Sequence, residues 1–215
     1  MREILMLIME ILGTVAFSVS GTLVAITCGL DLFGVLTVGT ITAIGGGITR
    51  DLLIGNVPPA VFSKPEVLIL ALLTSLIVFV LAFINFKKVK DINERVEGFN
   101  VFFDAVGLAA FSVTGVEVTC AAGFEKNFVL VLVLGVITGV GGGVLRDVLV
   151  NEKPYILVRH IYAVASLLGA VAYYVIGIRF GYQLTGTIVS VLLTVTIRML
   201  AAKYRWKLPK ITLND

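Results

Sequence analysis

Residues 35–58 read VLTVGTITAIGGGITRDLLIGNVP, and residues 131–154 read VLVLGVITGVGGGVLRDVLVNEKP. Twelve of the 24 aligned positions are identical, among them the whole Gly-Gly-Gly-x-x-Arg-Asp block. Each copy lies in an apolar stretch near the ~20 residues a helix needs to cross the hydrocarbon core of a bilayer. A duplicated, glycine-broken, charge-tipped helix in an apolar run is a building plan of membrane permeation proteins.

The duplication extends outward from this block. Glu10, Gly13, Ala16, Phe17, Ser18, Ser20 and Gly21 recur as Asp104, Gly107, Ala110, Phe111, Ser112, Thr114 and Gly115. Seven apolar runs are legible, at about 4–27, 33–56, 65–86, 101–122, 127–150, 159–178 and 182–202, with one strongly polar loop at 87–98. The first three match the next three. Three is an odd number, so the second copy must enter the membrane from the opposite side. The expected fold is an all-α membrane protein forming one transmembrane domain over 1–215. It has seven transmembrane helices: two inverted three-helix repeats (4–86 and 101–178), plus helix 7 (182–202) and a basic tail (203–215).

Composition points the same way. The chain is 58% hydrophobic and 14% charged, with a mean hydropathy of +1.04. Soluble domains carry roughly a quarter charged residues, so a single soluble globule is excluded. The apolar start after Met1-Arg2-Glu3 imitates a signal peptide. Residues 10–31 recur at 104–125, however, so this segment is expected to belong to the fold. Cys28 and Cys120 have neither metal-ligand spacing nor a disulfide framework and read as packing residues.

Lysine and arginine set the orientation. With the N-terminus outside, the inner connections hold Lys87, Lys88, Lys90, Arg95, Lys153, Arg159, Lys203, Arg205, Lys207 and Lys210. The outer side holds only Arg2, Lys64, Lys126 and Arg179. N-outside, C-inside is therefore expected, with the basic tail against anionic lipid.

Gly45, Gly46, Gly47 and Gly141, Gly142, Gly143 fall near the middle of their spans. Three adjacent glycines weaken a helix by roughly 1 kcal/mol each relative to alanine. A break there is tolerated in lipid only where freed backbone faces protein or a water-filled cavity. The alternative is that the glycines let two helices pack closely. The symmetric repetition before Arg-Asp favours breaks that line a path. A phosphate-binding loop is excluded, because no strand precedes the block and the Gly-Lys-Ser/Thr ending is absent.

Charges within a span are costly and mark function. Glu10, Arg50 and Asp51 share a depth near the outer face, and Asp104, Arg146 and Asp147 repeat them near the inner face. Arg50 is expected beside Glu10, and Arg146 beside Asp104, as structural pairs, as charged mouths of one pathway, or as both. Glu10, Phe17, Ser18 and Gly21 lie on one helical face, as do Asp104, Phe111, Ser112 and Gly115. Phe17 and Phe111 are candidates for a constriction and alternatively for core packing. Ser20 and Thr114 extend the candidate pore lining. In helix 7, Thr187, Ser190 and Thr194 offer hydroxyls to a neighbouring backbone, and Arg198 is expected to snorkel to the inner interface. His160 reads as interfacial. Glu117 has Leu23 as its counterpart and no evident role.

At these residues the chain resembles the short prokaryotic branch of the trimeric intracellular cation channel family, TRIC. The resemblance rests on the two Gly-Gly-Gly-x-x-Arg-Asp blocks and on Asp104-x-x-Gly107-x-x-Ala110-Phe111-Ser112-x-Thr114-Gly115, and it spans residues 4–202. It implies a homotrimer with one pore per protomer, lined by helices 1, 2, 4 and 5 and conducting potassium and sodium. A phospholipid near the pore is implied by some bacterial relatives. Where animal members carry Lys-Glu-Val and bind an inositol lipid, this chain has Ile48-Thr49-Arg50. No cofactor, metal or nucleic acid is expected. The rival reading is a secondary transporter of a small solute such as an amino acid, which an inverted repeat with broken helices fits equally well. An intramembrane enzyme is not expected, since no Ser-His pair, metal cluster or mid-span acid pair is present.

Overall fold

The structure, a computed structural model, describes residues 2–84, 93–158 and 161–206. Lys87, Lys88, Lys90, Arg159, His160, Lys207 and Lys210 lie outside the described residues. Among the described residues, seven long helices are apolar enough to cross a membrane, which makes this an integral membrane protein. They are α1 (Arg2–Thr27), α2 (Leu32–Leu53), α3 (Pro65–Ile84), α4 (Asn93–Thr119), α5 (Phe128–Leu149), α6 (Tyr162–Tyr173) and α7 (Gln183–Lys203). A π-helical turn prolongs α4 through Cys120–Phe124, and another prolongs α6 through Tyr174–Arg179. The helix α4 starts inside the expected polar loop at 87–98. Glu and Arg are good helix formers, so polarity there does not stop the helix.

The two copies of the glycine segment begin and end alike. Asp31 accepts a hydrogen bond from the Gly34 amide, and Asn127 accepts one from Leu130. These side chains satisfy donors that a helix start leaves without partners. Gly55 (φ 80°) and Asn151 (φ 58°) take left-handed conformations just past α2 and α5. Each helix closes with a pair of reversed hydrogen bonds, Gly55 to Leu52 with Asn56 to Asp51, and Asn151 to Val148 with Glu152 to Asp147.

The helices α1, α2, α4 and α5 form the centre, with α3 against α1 and α2, α6 against α4 and α5, and α7 against α6 and α4. Contacts along α1 and α4 run in opposite directions. Arg2 pairs with Glu117, Phe17 sits at Gly107, Phe111 sits at Gly13, and Ser20 bonds Asn100. The α2–α5 crossing is likewise antiparallel, with Gly46 at Thr138 and Gly142 at Thr42. Equivalent helices meeting head to tail require a pseudo-two-fold axis between the repeats, as three-helix repeats dictate. The close approaches are also paired. A Cβ on Gly21 would stand 2.9 Å from the Gly39 Cα, and one on Gly115 would stand 2.9 Å from the Gly135 Cα. The helix α7 belongs to neither repeat. Its Ser190 donates to the Gly169 carbonyl at 2.7 Å and its Thr194 to Ala165 at 3.4 Å, so its hydroxyls do serve a neighbouring backbone.

Candidate functional site

The glycine triplets do not open their helices. Both α2 and α5 run without interruption through Gly45–Gly47 and Gly141–Gly143. A Cβ on Gly46 would land on the Thr138 carbonyl, one on Gly142 would land on the Thr42 carbonyl, and one on Gly141 would stand 3.0 Å from the Gly46 Cα. The expected break with freed carbonyls is thus replaced by close helix crossing, the small-residue packing used where no water drives association. One turn earlier, Thr42 and Thr138 each return their hydroxyl to the carbonyl four residues back, at 2.6 Å. Gly47 stands apart, with nothing nearer to its absent Cβ than the Arg50 guanidinium at 3.8 Å.

Phe17 and Phe111 meet across α1 and α4 with ring centroids 5.4 Å apart. Each occupies the notch left by the other helix's glycine, Phe17 at Gly107 and Phe111 at Gly13. Phe17 is fully buried. Ser112 bonds the Leu108 carbonyl and Ser166 of α6, and Ser18 is buried with no partner among the described residues. Neither serine lines the two cavities described next.

One cavity, of about 310 Å³, lies at the end of the molecule where α1 begins. Glu10, Arg50, Asp51, Lys64, Phe111 and Thr114 line it. A second, of about 270 Å³, lies at the opposite end between α1, α4 and α5, where Glu97, Asn100, Asp147, Glu152, Lys153 and Tyr155 line it. They share no residue. Between them stand the Phe17–Phe111 pair and a buried charged cluster.

That cluster centres on Arg146, which is wholly buried. Its Nε donates to Asp147 at 2.8 Å, and its Nη1 donates to Asp104 at 2.9 Å and to Ser20 at 2.7 Å. Its guanidinium stacks 5.0 Å over the Tyr155 ring. Ser20 in turn donates to Asn100 at 2.7 Å. One side chain of α5 therefore ties α1 to α4. The expected Arg146–Asp104 pair is formed. A buried charge so heavily compensated is costly to strip of one partner, by about 3–5 kcal/mol.

The first repeat differs. Arg50 donates to Asp51 through Nε at 2.9 Å and through Nη2 at 2.8 Å, and the expected Arg50–Glu10 pair does not form. The fork of Arg50 is engaged by its own neighbour, and Glu10 stands on the same cavity without an ion pair among the described residues. Glu10, Arg50 and Thr114 are the repeat images of Asp104, Arg146 and Ser20. The same triad is open at one end and latched at the other.

Asp51 and Asp147 do a further job. Asp51 accepts from the amide of Ala60, and Asp147 from that of Tyr155, both at 2.8 Å. These amides start two short helices, Ala60–Ser63 and Tyr155–Val158. A proline precedes each, Pro59 and Pro154, with no side-chain acceptor of its own. The carboxylate from the span supplies it.

A family profile described as "Glycine transporter" matches residues 7–82 and 101–178. The chain is 36% identical to the UPF0126 inner membrane protein YadS of Escherichia coli (strain K12), over 96% of each chain. It is 34% identical to the UPF0126 membrane protein YvgT of Bacillus subtilis (strain 168), over 94% of each. Among solved structures, a prokaryotic TRIC channel crystallised in 0.5 M KCl superposes with a TM-score of 0.83 at 35% identity, covering 97% of this chain and 100% of that one. The TRIC orthologue from Rhodobacter sphaeroides superposes with a TM-score of 0.83 at 30% identity, covering 94% and 98%. The chain belongs to the TRIC family of cation channels.

Sequence reading of this TRIC chain misses four residues. Asn100 sits just before the legible apolar run, where a lone amide looks like loop. Tyr162 lies 3.4 Å from Asp104 through its hydroxyl, and nothing in its spacing signals that. Arg198, expected at the inner interface, points inward instead. It is 2% exposed, its Nη2 lies 3.6 Å from Asp104 Oδ2, and it stacks 4.6 Å over Tyr162. The desolvated guanidinium is held by a carboxylate and an aromatic face that snorkelling would forfeit. Glu117 is placed too. It is buried, pairs with Arg2 and accepts from the Tyr173 hydroxyl at 2.6 Å.

Proposed function

We propose that this protein is a cation channel of the homotrimeric TRIC type, with one path per protomer between α1, α2, α4 and α5. The observation that carries the reading is the pair of opposed cavities separated by Phe17, Phe111 and the Arg146 cluster, all on the pseudo-two-fold arrangement. That arrangement supports a path in its closed state. Rotation of the two phenylalanines out of their glycine notches, together with release of Arg146 from Ser20 and Asp104, joins the cavities. Monovalent cations, potassium and sodium, are the proposed cargo. Carboxylates face both cavities, Glu10 and Asp51 in one, Glu97, Asp147 and Glu152 in the other. In the second cavity they outnumber the lysine Lys153, an acidic excess that favours cations and repels anions, whereas in the first Arg50 and Lys64 stand beside them. Bound phospholipid is a proposed companion at the first cavity, whose lining includes the apolar Met6 and Val67 as well as Lys64.

The test is single-channel recording of the purified protein in planar bilayers with potassium and then sodium. Discrete current steps with cation reversal potentials are expected. A second reading, a transporter of a small zwitterionic solute, is favoured by one feature. The triad is open at one end and latched at the other, as alternating access requires. Saturable tracer flux without current steps would select it.

A further inference from the structure

We infer that Arg198 of α7 is a standby counter-ion for Asp104, taking over the carboxylate when Arg146 leaves it, and so setting the balance between closed and open states. The inference rests on the channel reading above.

Asp104 is fully buried and its two oxygens are used differently. Oδ1 takes the Arg146 hydrogen bond at 2.9 Å and the Tyr162 hydroxyl at 3.4 Å. Oδ2 has no hydrogen bond among the described residues, and Arg198 Nη2 faces it at 3.6 Å. That distance is beyond hydrogen-bond length yet close enough for strong attraction where water is excluded. Arg198 Nε and Nη2 are themselves buried without hydrogen-bond partners among the described residues. The Tyr162 ring supports the guanidinium from below at 4.6 Å. The Arg198 Nη2 donor and the Asp104 Oδ2 acceptor thus face each other at 3.6 Å, ion-paired and not yet hydrogen-bonded. Arg146 already has two carboxylates, Asp104 and Asp147, and Arg198 supplies the second positive charge of the buried cluster without a hydrogen bond to either among the described residues.

Opening requires Arg198. Arg146 lies between the two cavities and must let go of Ser20 and Asp104 for them to join. Without a substitute, Asp104 would be left as an uncompensated buried charge, which is strongly unfavourable. A small approach by Arg198 turns its 3.6 Å ion pair with Asp104 into a hydrogen-bonded one. The device is asymmetric, because α7 has no counterpart in the repeat, and the image residue Glu10 stands open on its cavity.

Three effects of removing Arg198 share a sign. Asp104 loses its alternative partner, its field on Arg146 is no longer shared, and Arg146 no longer feels a second cation nearby. All three strengthen the closed latch. In bilayer recordings, Arg198→Gln is expected to lower open probability by roughly 5-fold or more, the lower end of a typical coupling, without lowering unit conductance. Arg198→Lys, whose shorter ammonium stands farther from Asp104, is expected to show a smaller drop in the same direction. Each variant is first shown to be a trimer by sizing. Should Arg198→Gln not assemble, the lysine variant decides. Unchanged or raised open probability in the assembled variant overturns the inference, since a purely structural α7 anchor would change the melting temperature and not gating. Wild-type protein is recorded in parallel. If it conducts while the variant gates normally, only the standby role falls, whereas a silent wild type removes the channel reading and the inference together.

Discussion

A methyl group distinguishes glycines that permit a helix crossing from glycines that merely sit in a helix. On Gly142 it would overlap the Thr42 carbonyl, a backbone atom that cannot swing aside, so α2 and α5 must separate. Overpacking of this kind costs about 1–3 kcal/mol. On Gly47 it meets only open space and the distant Arg50 guanidinium. There alanine gains up to ~1 kcal/mol of helix propensity. Gly142→Ala is therefore expected to lower the melting temperature of the assembled protein, and Gly47→Ala to hold or raise it. Equal melting shifts from the two would show that the triplets are not a crossing point. Gly46→Ala should follow Gly142→Ala, because Thr138 stands to Gly46 as Thr42 stands to Gly142.

The elements most exposed to single substitutions are the two short helices that follow α2 and α5. Each hangs on one carboxylate. Removing Asp51 deprives the Ala60 amide of its acceptor, which for a capping residue costs about 0.5–2 kcal/mol. It also leaves the buried Arg50 without its ion pair. Asp51→Ala should thus speed amide exchange at Ala60 by roughly tenfold, the equivalent of ~1.4 kcal/mol, measured by mass spectrometry in detergent. Unaltered exchange there would mean the short helix stands without its cap. Elements of this size were beyond sequence reading, since four residues carry no periodicity. The long helices were legible because apolar runs of about 20 residues and a copied segment are strong signals. Arg146–Asp104 was legible because depth alone brings them together. Arg50–Glu10 failed by the same logic, because Asp51, one residue away, occupies the guanidinium. Low glycine propensity predicts a break at the triplets, but close packing of α2 on α5 outweighs it. In lipid the intrahelical hydrogen bond has no competitor, so weak helix formers remain helical.

For the whole molecule, antiparallel repeats plus one extra helix place the two termini on opposite faces, and which face is inside remains a matter of charge. Among the described residues, Arg2, Lys64, Lys126 and Arg179 lie at one face, with Arg95, Lys153, Lys203 and Arg205 at the other. By sequence, the connection between α3 and α4 also carries Lys87, Lys88 and Lys90, so the second face is expected to be cytoplasmic. The chain carries its own probe. Cys28 is exposed just past the end of α1, at the same face as Lys153, while Cys120 is buried. Partial desolvation, with a smaller contribution from the Glu152 carboxylate, pushes the Cys28 thiol above its ordinary pKa. The thiolate is the reactive form, so labelling is best run at alkaline pH. A membrane-impermeant maleimide should modify the native protein in inside-out vesicles and spare it in right-side-out ones. Cys28→Ser should abolish the labelling, with Cys120 contributing nothing. Labelling confined to right-side-out vesicles would reverse the orientation and put the Arg146 latch at the outer mouth and the open Glu10 cavity at the inner one.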